Sequence, residues 1–131
     1  MIVLDASALV ELLLSTKIGR AIATRIEDPA LALNAPHLAD VEVAQVLRRY
    51  AREGELDAEE AAEALEELAS LDFERHPHEP LLPRIWQLRD VLTAYDATYV
   101  ALAEALDAPL LTCDGKLARA PGFSRRVELF R

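Results

Sequence analysis

Several residue types are scarce in this chain, and each scarcity excludes something. One cysteine, Cys113, stands among 131 residues, so no internal disulfide can staple the fold, which suits a reducing compartment. Its setting in the strand-like run Leu110-Leu111-Thr112-Cys113 predicts a buried structural thiol rather than a nucleophile. Glycine occurs four times and never in a cluster, so a phosphate-cradling P-loop or a dinucleotide fingerprint is not expected. No apolar run approaches the roughly 20 residues of a membrane span. Met1 leads straight into Ile2-Val3-Leu4-Asp5 without a basic segment, so neither a leader peptide nor a membrane partner is expected, and the cytoplasm is the expected location. Bases are also in the minority, 14 against 23 acids, for a net charge of −9. Taken whole, that balance opposes a nucleic-acid partner, because phosphates are held by Lys and Arg.

The acidity is local, however. Residues Glu53 to Glu67 contain eight acids and no base, which leaves 15 acids and 14 bases elsewhere. One solvated helix face therefore carries almost all the excess, and bulk charge does not decide the question of a nucleic-acid partner.

Ala and Leu supply 46 residues, a helix-favouring composition, and the length suits one compact domain with a core. Ile2–Leu4 reads as a buried parallel strand, and Ala6–Leu14 as a helix capped by Asp5 or Ser7. Lys17–Glu27 is a second helix, and Leu31–Leu33 a second strand ended by Asn34 and Pro36. His37–Arg52 has strong helical periodicity, with His37 helping to start it and Gly54 stopping it. Another helix opens at Asp57, paired with Glu60 as a capping box, and buries Ala61, Ala64, Leu65, Leu68 and Leu71. A third strand is expected over Leu71–Arg75, a loop over His76–Pro80 and a helix over Leu81–Val91. Thr93 caps a helix to Leu106, Leu110–Thr112 is a strand, a short helix follows Asp114, and Val127–Phe130 is the last strand. Short apolar strands alternating with helices imply an α/β fold with a parallel sheet covered on both faces. In such sheets ligands bind beyond the carboxyl ends of the strands, where strand order reverses.

Two of the strands end in a carboxylate, Asp5 and Asp114. Glu42 lies one turn into the helix from His37, on a largely apolar stripe, where an ionised carboxylate is costly unless paired or metal-bound. Asp96 opens the helix after Thr93. Singly, Asp5 and Asp114 read equally well as helix caps, Asp96 as a favourable charge at a helix start, and Glu42 as a solvated head on a folded stem. Together, the four acids suit a hard divalent cation such as Mg²⁺ or Mn²⁺, which takes oxygen ligands and relieves carboxylate repulsion.

Three blocks carry a resemblance: Met1 to Val10 with Asp5, Glu42-Val43 with Leu47-Arg48-Arg49, and Thr93 to Glu104 around Tyr95-Asp96-Ala97. With Leu111 to Leu117 they make the chain resemble a PIN-domain protein, in particular the VapC-type toxins of bacterial toxin–antitoxin pairs. The resemblance spans essentially the whole chain and implies one PIN-like domain over residues 1–131. That domain would be a three-layer sandwich with a central parallel sheet of about 4–5 strands. It implies a Mg²⁺- or Mn²⁺-dependent endoribonuclease, usually homodimeric, held inactive by a small VapB-type antitoxin. Asp5, Glu42, Asp96 and Asp114 would then be the catalytic and metal-holding acids, and Ser7 and Thr112 the small polar residues beside them. The chain departs from many relatives in having Gly115, Lys116 and Leu117 where a further acid often follows the fourth.

Two basic groups are candidate RNA contacts: Arg48, Arg49 and Arg52, and then Lys116, Arg119, Arg125, Arg126 and Arg131. A solvated face is the ordinary alternative for each. Tyr50, Tyr95 and Tyr99 are modest stacking candidates, with Tyr95 and Tyr99 expected to pack on one helix face. His76 and His78 flank Pro77, but no third soft ligand stands nearby, so zinc is not expected. A phospho-acceptor receiver domain would need a late-strand lysine that this chain lacks. A haloacid-dehalogenase-type phosphatase would need an acid where Ser7 stands. A non-catalytic PIN-like RNA- or partner-binding module is the remaining alternative.

Overall fold

A computed structural model describes every residue except 121, 124 and 125; Arg125 of the second basic group therefore lies outside the described residues. The elements in chain order are β1 (Ile2–Leu4), α1 (Ala6–Leu13), α2 (Lys17–Arg25), β2 (Leu33–Pro36), α3 (Leu38–Arg52) and α4 (Ala58–Ser70). There follow β3 (Glu74–His76), a 3₁₀ turn (Glu79–Leu81), α5 (Leu82–Gln87), α6 (Ala94–Leu106), β4 (Leu110–Thr112), α7 (Gly115–Ala118) and β5 (Val127–Leu129). The five strands form one sheet in the order β3-β2-β1-β4-β5, and every pairing is parallel.

This order places the site. From β1 the chain winds outward through β2 to β3, then returns across the sheet to β4 on the other side of β1. Strand order thus reverses between β1 and β4, the place where parallel sheets open a crevice. Helices α1 to α4 pack on one another, while α5 packs on α6 and α6 lies against β1, β2 and β4. This is the expected α/β sandwich. Ile2, Val3 and Leu4 are all at most 1% exposed, and burying each side chain contributes about 1.5–3 kcal/mol. Ala97 to Ala103 of α6 are buried without interruption, which makes α6 a central rather than an amphipathic helix.

Four local expectations shift. The second strand is Leu33–Pro36 rather than Leu31–Leu33, because its centre is held by a polar residue. Asn34 is buried, donates to the carbonyls of Ile2 and Ala32, and meets His76 Nε2 through Oδ1 at 2.9 Å. The third strand is Glu74–His76 rather than Leu71–Arg75. It is an edge strand, held by backbone pairing to β2 with no apolar run of its own, and it draws His76 out of the expected loop. The helix expected over Leu81–Val91 stops at Gln87, since the Leu88 N–H is shared between Arg84 and Ile85 and the next bonds tighten into turns. Leu65 is 39% exposed and Tyr95 62% exposed, against the expectation that both pack. Tyr95 sits in the first turn of α6.

The helix starts follow local chemistry, with two changes. Asp57 caps α4 by accepting from Glu59 N–H, without a bond to Glu60. His37 occupies the cap position of α3 but makes no capping bond. The Leu38 N–H is instead taken by His78 Nε2 at 2.8 Å, from 40 residues away.

Candidate active site

Asp5 leaves the end of β1 and is 4% exposed. Its Oδ1 accepts the Ser7 hydroxyl at 2.6 Å and the Ala8 N–H at 2.9 Å, so it caps α1 as well. Its Oδ2 accepts from Thr112 Oγ1, at the end of the neighbouring β4. Thr112 Oγ1 also accepts the Asp114 N–H at 2.9 Å, and Ser7 Oγ accepts the Cys113 N–H at 2.9 Å. Ser7 and Thr112 therefore stitch together the two strand ends from which Asp5 and Asp114 emerge. Cys113 falls just beyond β4 and is only partly buried, short of the expected full burial.

Asp114 caps α7 by accepting from Lys116 N–H at 2.9 Å. Asp96 is the third residue of α6, and its N–H donates to the Thr93 hydroxyl at 3.2 Å, which leaves the Asp96 carboxylate outside the cap. Glu42 projects from α3 and accepts the Tyr99 hydroxyl at 2.6 Å. Capping and site roles are thus not alternatives: Asp5 and Asp114 serve both.

All four carboxylates line one cavity of about 310 Å³ beyond β1 and β4, together with Ser7, Gln45, Arg49 and Tyr99. Asp96 also borders a second cavity, of about 490 Å³, whose lining includes Lys116 and Arg119. Thr112 is fully buried behind the first cavity. Arg48 and Arg52 are exposed on α3 and are not among the lining residues of the acidic cavity, so of the first basic group only Arg49 reaches it. Arg126 is paired with Asp107. From sequence Tyr99 reads as a packed aromatic or a modest stacking candidate, not as a partner of Glu42. Its spacing three residues from Asp96 places it over the same cleft, and its hydroxyl is what engages Glu42.

The electrostatics follow from crowding acids in a half-buried crevice. Burial pushes Asp5 up to about 6, with Asp114 adding repulsion and the bonds from Ser7, Thr112 and Ala8 opposing it. Glu42 is raised by burial and by Asp96, against the Tyr99 hydrogen bond. Asp96 is raised by burial and by Asp114, with Lys116 pulling the other way. The Tyr99 phenol is raised strongly, first by burial and then by its bond to Glu42. Burial also lifts the Cys113 thiol to about 11, which leaves it unsuited to nucleophilic attack.

The donor set fits a hard divalent cation: it is all carboxylate oxygen, its members repel one another, and a bound positive charge reverses that cost. Among the described residues no three acid, imidazole or thiol groups are already drawn into a ligand cluster. The acids ring the cavity rather than converge on a point. His76 and His78 are engaged with Asn34 and the start of α3, away from it.

A parallel α/β sheet with an acidic cleft at its switch point is the architecture here, and the family model for the PIN domain matches residues 2–122. Ribonuclease VapC1 of Mycobacterium tuberculosis is 47% identical over 130 residues, covering 98% of this chain and 97% of that protein. Ribonuclease VapC12 of the same organism is 42% identical over 129 residues, covering 98% of each. A chain of VapBC2 from Rickettsia felis, solved bound to a DNA fragment from their promoter, shares the fold with a TM-score of 0.73 at 15% identity, each chain fully covered. The chain belongs to the PIN-domain family and, within it, to the VapC ribonucleases.

Proposed function

We propose that this chain is an endoribonuclease toxin that hydrolyses RNA phosphodiesters with Mg²⁺ or Mn²⁺. The observation that carries the proposal is the gathering of Asp5, Glu42, Asp96 and Asp114, from four different elements, around one cavity at the β1/β4 switch point. The 47% identity to a named ribonuclease over nearly the full length supports the RNA-hydrolysing class. The four acids would hold the cation, which supplies charge neutralisation at the phosphate and lowers the pKa of bound water. Asp5 is positioned for this by three donors, the Ser7 hydroxyl, the Ala8 N–H and the Thr112 hydroxyl, and already lines the cavity. Tyr99 holds one oxygen of Glu42, which leaves the other to orient a water or take its proton. Arg49, on the cavity wall, offers the phosphate a guanidinium.

In this reading residues 1–131 act as one domain in the cytoplasm, most naturally as a homodimer, and a VapB-type antitoxin neutralises them. The receiver-like alternative is not favoured, because the cavity holding Asp5 offers Arg49 but no lysine among its lining residues. A purely binding PIN-like module would not need four mutually repelling acids at one cavity.

Controlled expression in bacteria followed by sequencing of RNA 5′ ends tests the proposal. Wild-type protein is expected to create discrete new ends, and Asp96→Asn, accumulating to the same level, none. Identical end profiles for the two proteins would refute it.

A further inference from the structure

The second cavity, of about 490 Å³, shares Asp96 with the acidic cleft. Its size lies within the ~300–1,000 Å³ usual for ligand sites. Val91, Leu92 and Ala120 give it an apolar wall, and Lys116 and Arg119 a cationic one. The basic side is denser than the cavity lining alone indicates. A Cβ placed on Gly115 would stand 3.3 Å from an Arg119 guanidinium nitrogen and 3.4 Å from one of Arg131. Two guanidinium groups therefore gather over the glycine between Asp114 and Lys116. The ion pairs among the described residues are Arg25–Glu128, Arg75–Asp40, Arg84–Glu104 and Arg126–Asp107, so Lys116, Arg119 and Arg131 join none of them. Lys116 acts on Asp96 without forming an ion pair with it, and three cations gathered near a single carboxylate favour a further anion between them. The one carboxylate on the lining is Asp96, which faces both cavities.

We infer that this second cavity is a nucleotide subsite of the RNA strand. It seats the nucleotide next to the scissile bond, its base against Val91, Leu92 and Ala120 and its outer phosphate on Lys116 and Arg119. The inference rests on the ribonuclease reading for its occupant and adds to it a second anchoring point. An apolar wall carries no base-edge code, so the subsite grips any base and sets strand direction rather than sequence.

The test is binding of a fluorescent, mixed-sequence, 20-nucleotide single-stranded RNA. It is measured by anisotropy in an Asp5→Asn background that prevents cutting and leaves this cavity intact. Lys116→Gln/Arg119→Gln is expected to weaken binding about tenfold near 0.1 M salt, and to flatten the slope of log affinity against log salt by about 1.4, two single-strand phosphate contacts. Val91→Asp, at an exposed position, is expected to weaken binding comparably without changing the melting temperature. Arg20→Gln, a cation remote from both cavities, should leave affinity and slope unchanged. In the active background the double variant should raise KM for the same RNA about tenfold. Affinity and salt slope equal to the parent in the double variant, or no RNA binding by the parent, would overturn the subsite. RNA binding that falls as expected while the wild type cuts nothing would instead overturn the ribonuclease reading and leave the subsite standing.

Discussion

Thr112 shows how much one side chain carries here. Its hydroxyl is fully buried, donates to Asp5 and accepts from the Asp114 backbone, so one atom fixes two of the four acids. Thr112→Val keeps the shape but strands a carboxylate oxygen and an N–H, at a cost of about 1–3 kcal/mol. Urea denaturation should show that loss, and Thr112→Ser should restore most of it. Asp5 makes a second statement at this scale. Folding raises its pKa from 3.8 to about 6 through burial, so the native state holds the proton more tightly than the unfolded chain. The contribution of this group to stability is therefore present below pH 3.8, falls as pH rises, and is fully lost above about 6, by roughly 3 kcal/mol. Denaturation in EDTA between pH 4 and 7.5 should show the wild type weakening through this window more steeply than Asp5→Asn, which keeps only the raised carboxyls of Glu42 and Asp96. Parallel profiles for the two proteins would contradict the burial account.

At the scale of elements, the site depends on how helices are seated against one another. The α1–α2 corner turns so tightly that a Cβ on Gly19 would stand 1.9 Å from the Glu11 carbonyl oxygen. That atom is backbone and cannot rotate away, so Gly19→Ala is expected to cost about 1–3 kcal/mol or more, measured by thermal or urea melting. Substitution without loss would mean the helices are not packed so closely. In the sheet, what the sequence reveals depends on whether the core positions are apolar. Strands β1 and β4 were legible because burial on both faces leaves an unbroken apolar run ending in a carboxylate. Strand β2 was read about two residues early, because Asn34 stands where an apolar core residue is expected and is satisfied in part by Ile2 and His76, distant in sequence. His78 as the acceptor for the start of α3 was hidden for the same reason. Local chemistry named His37, and tertiary contact supplied His78.

For the molecule as a whole, the net charge of −9 misleads unless it is placed. The long acidic run lies on and just before α4, while the site pairs four acids with Arg49 on one side and Lys116 and Arg119 on the other. All four acids were readable from sequence and resemblance, yet neither their shared cavity nor the role of Tyr99 followed without the sheet order. Convergence is a property of topology: the reversal between β1 and β4 brings residues 5 and 114 to one edge, and α3 and α6 deliver Glu42 and Asp96 to it. The central claim is that these acids form a cation-dependent centre for RNA hydrolysis. It is tested most directly by titrating Mg²⁺ and Mn²⁺ into purified, EDTA-treated protein, following cleavage of total bacterial RNA and the melting temperature in parallel. Cleavage and a rise in melting temperature should appear together in the wild type, and both should vanish in Asp96→Asn while that protein stays folded. RNA cleavage that persists in EDTA, or survives in Asp96→Asn, would contradict the account.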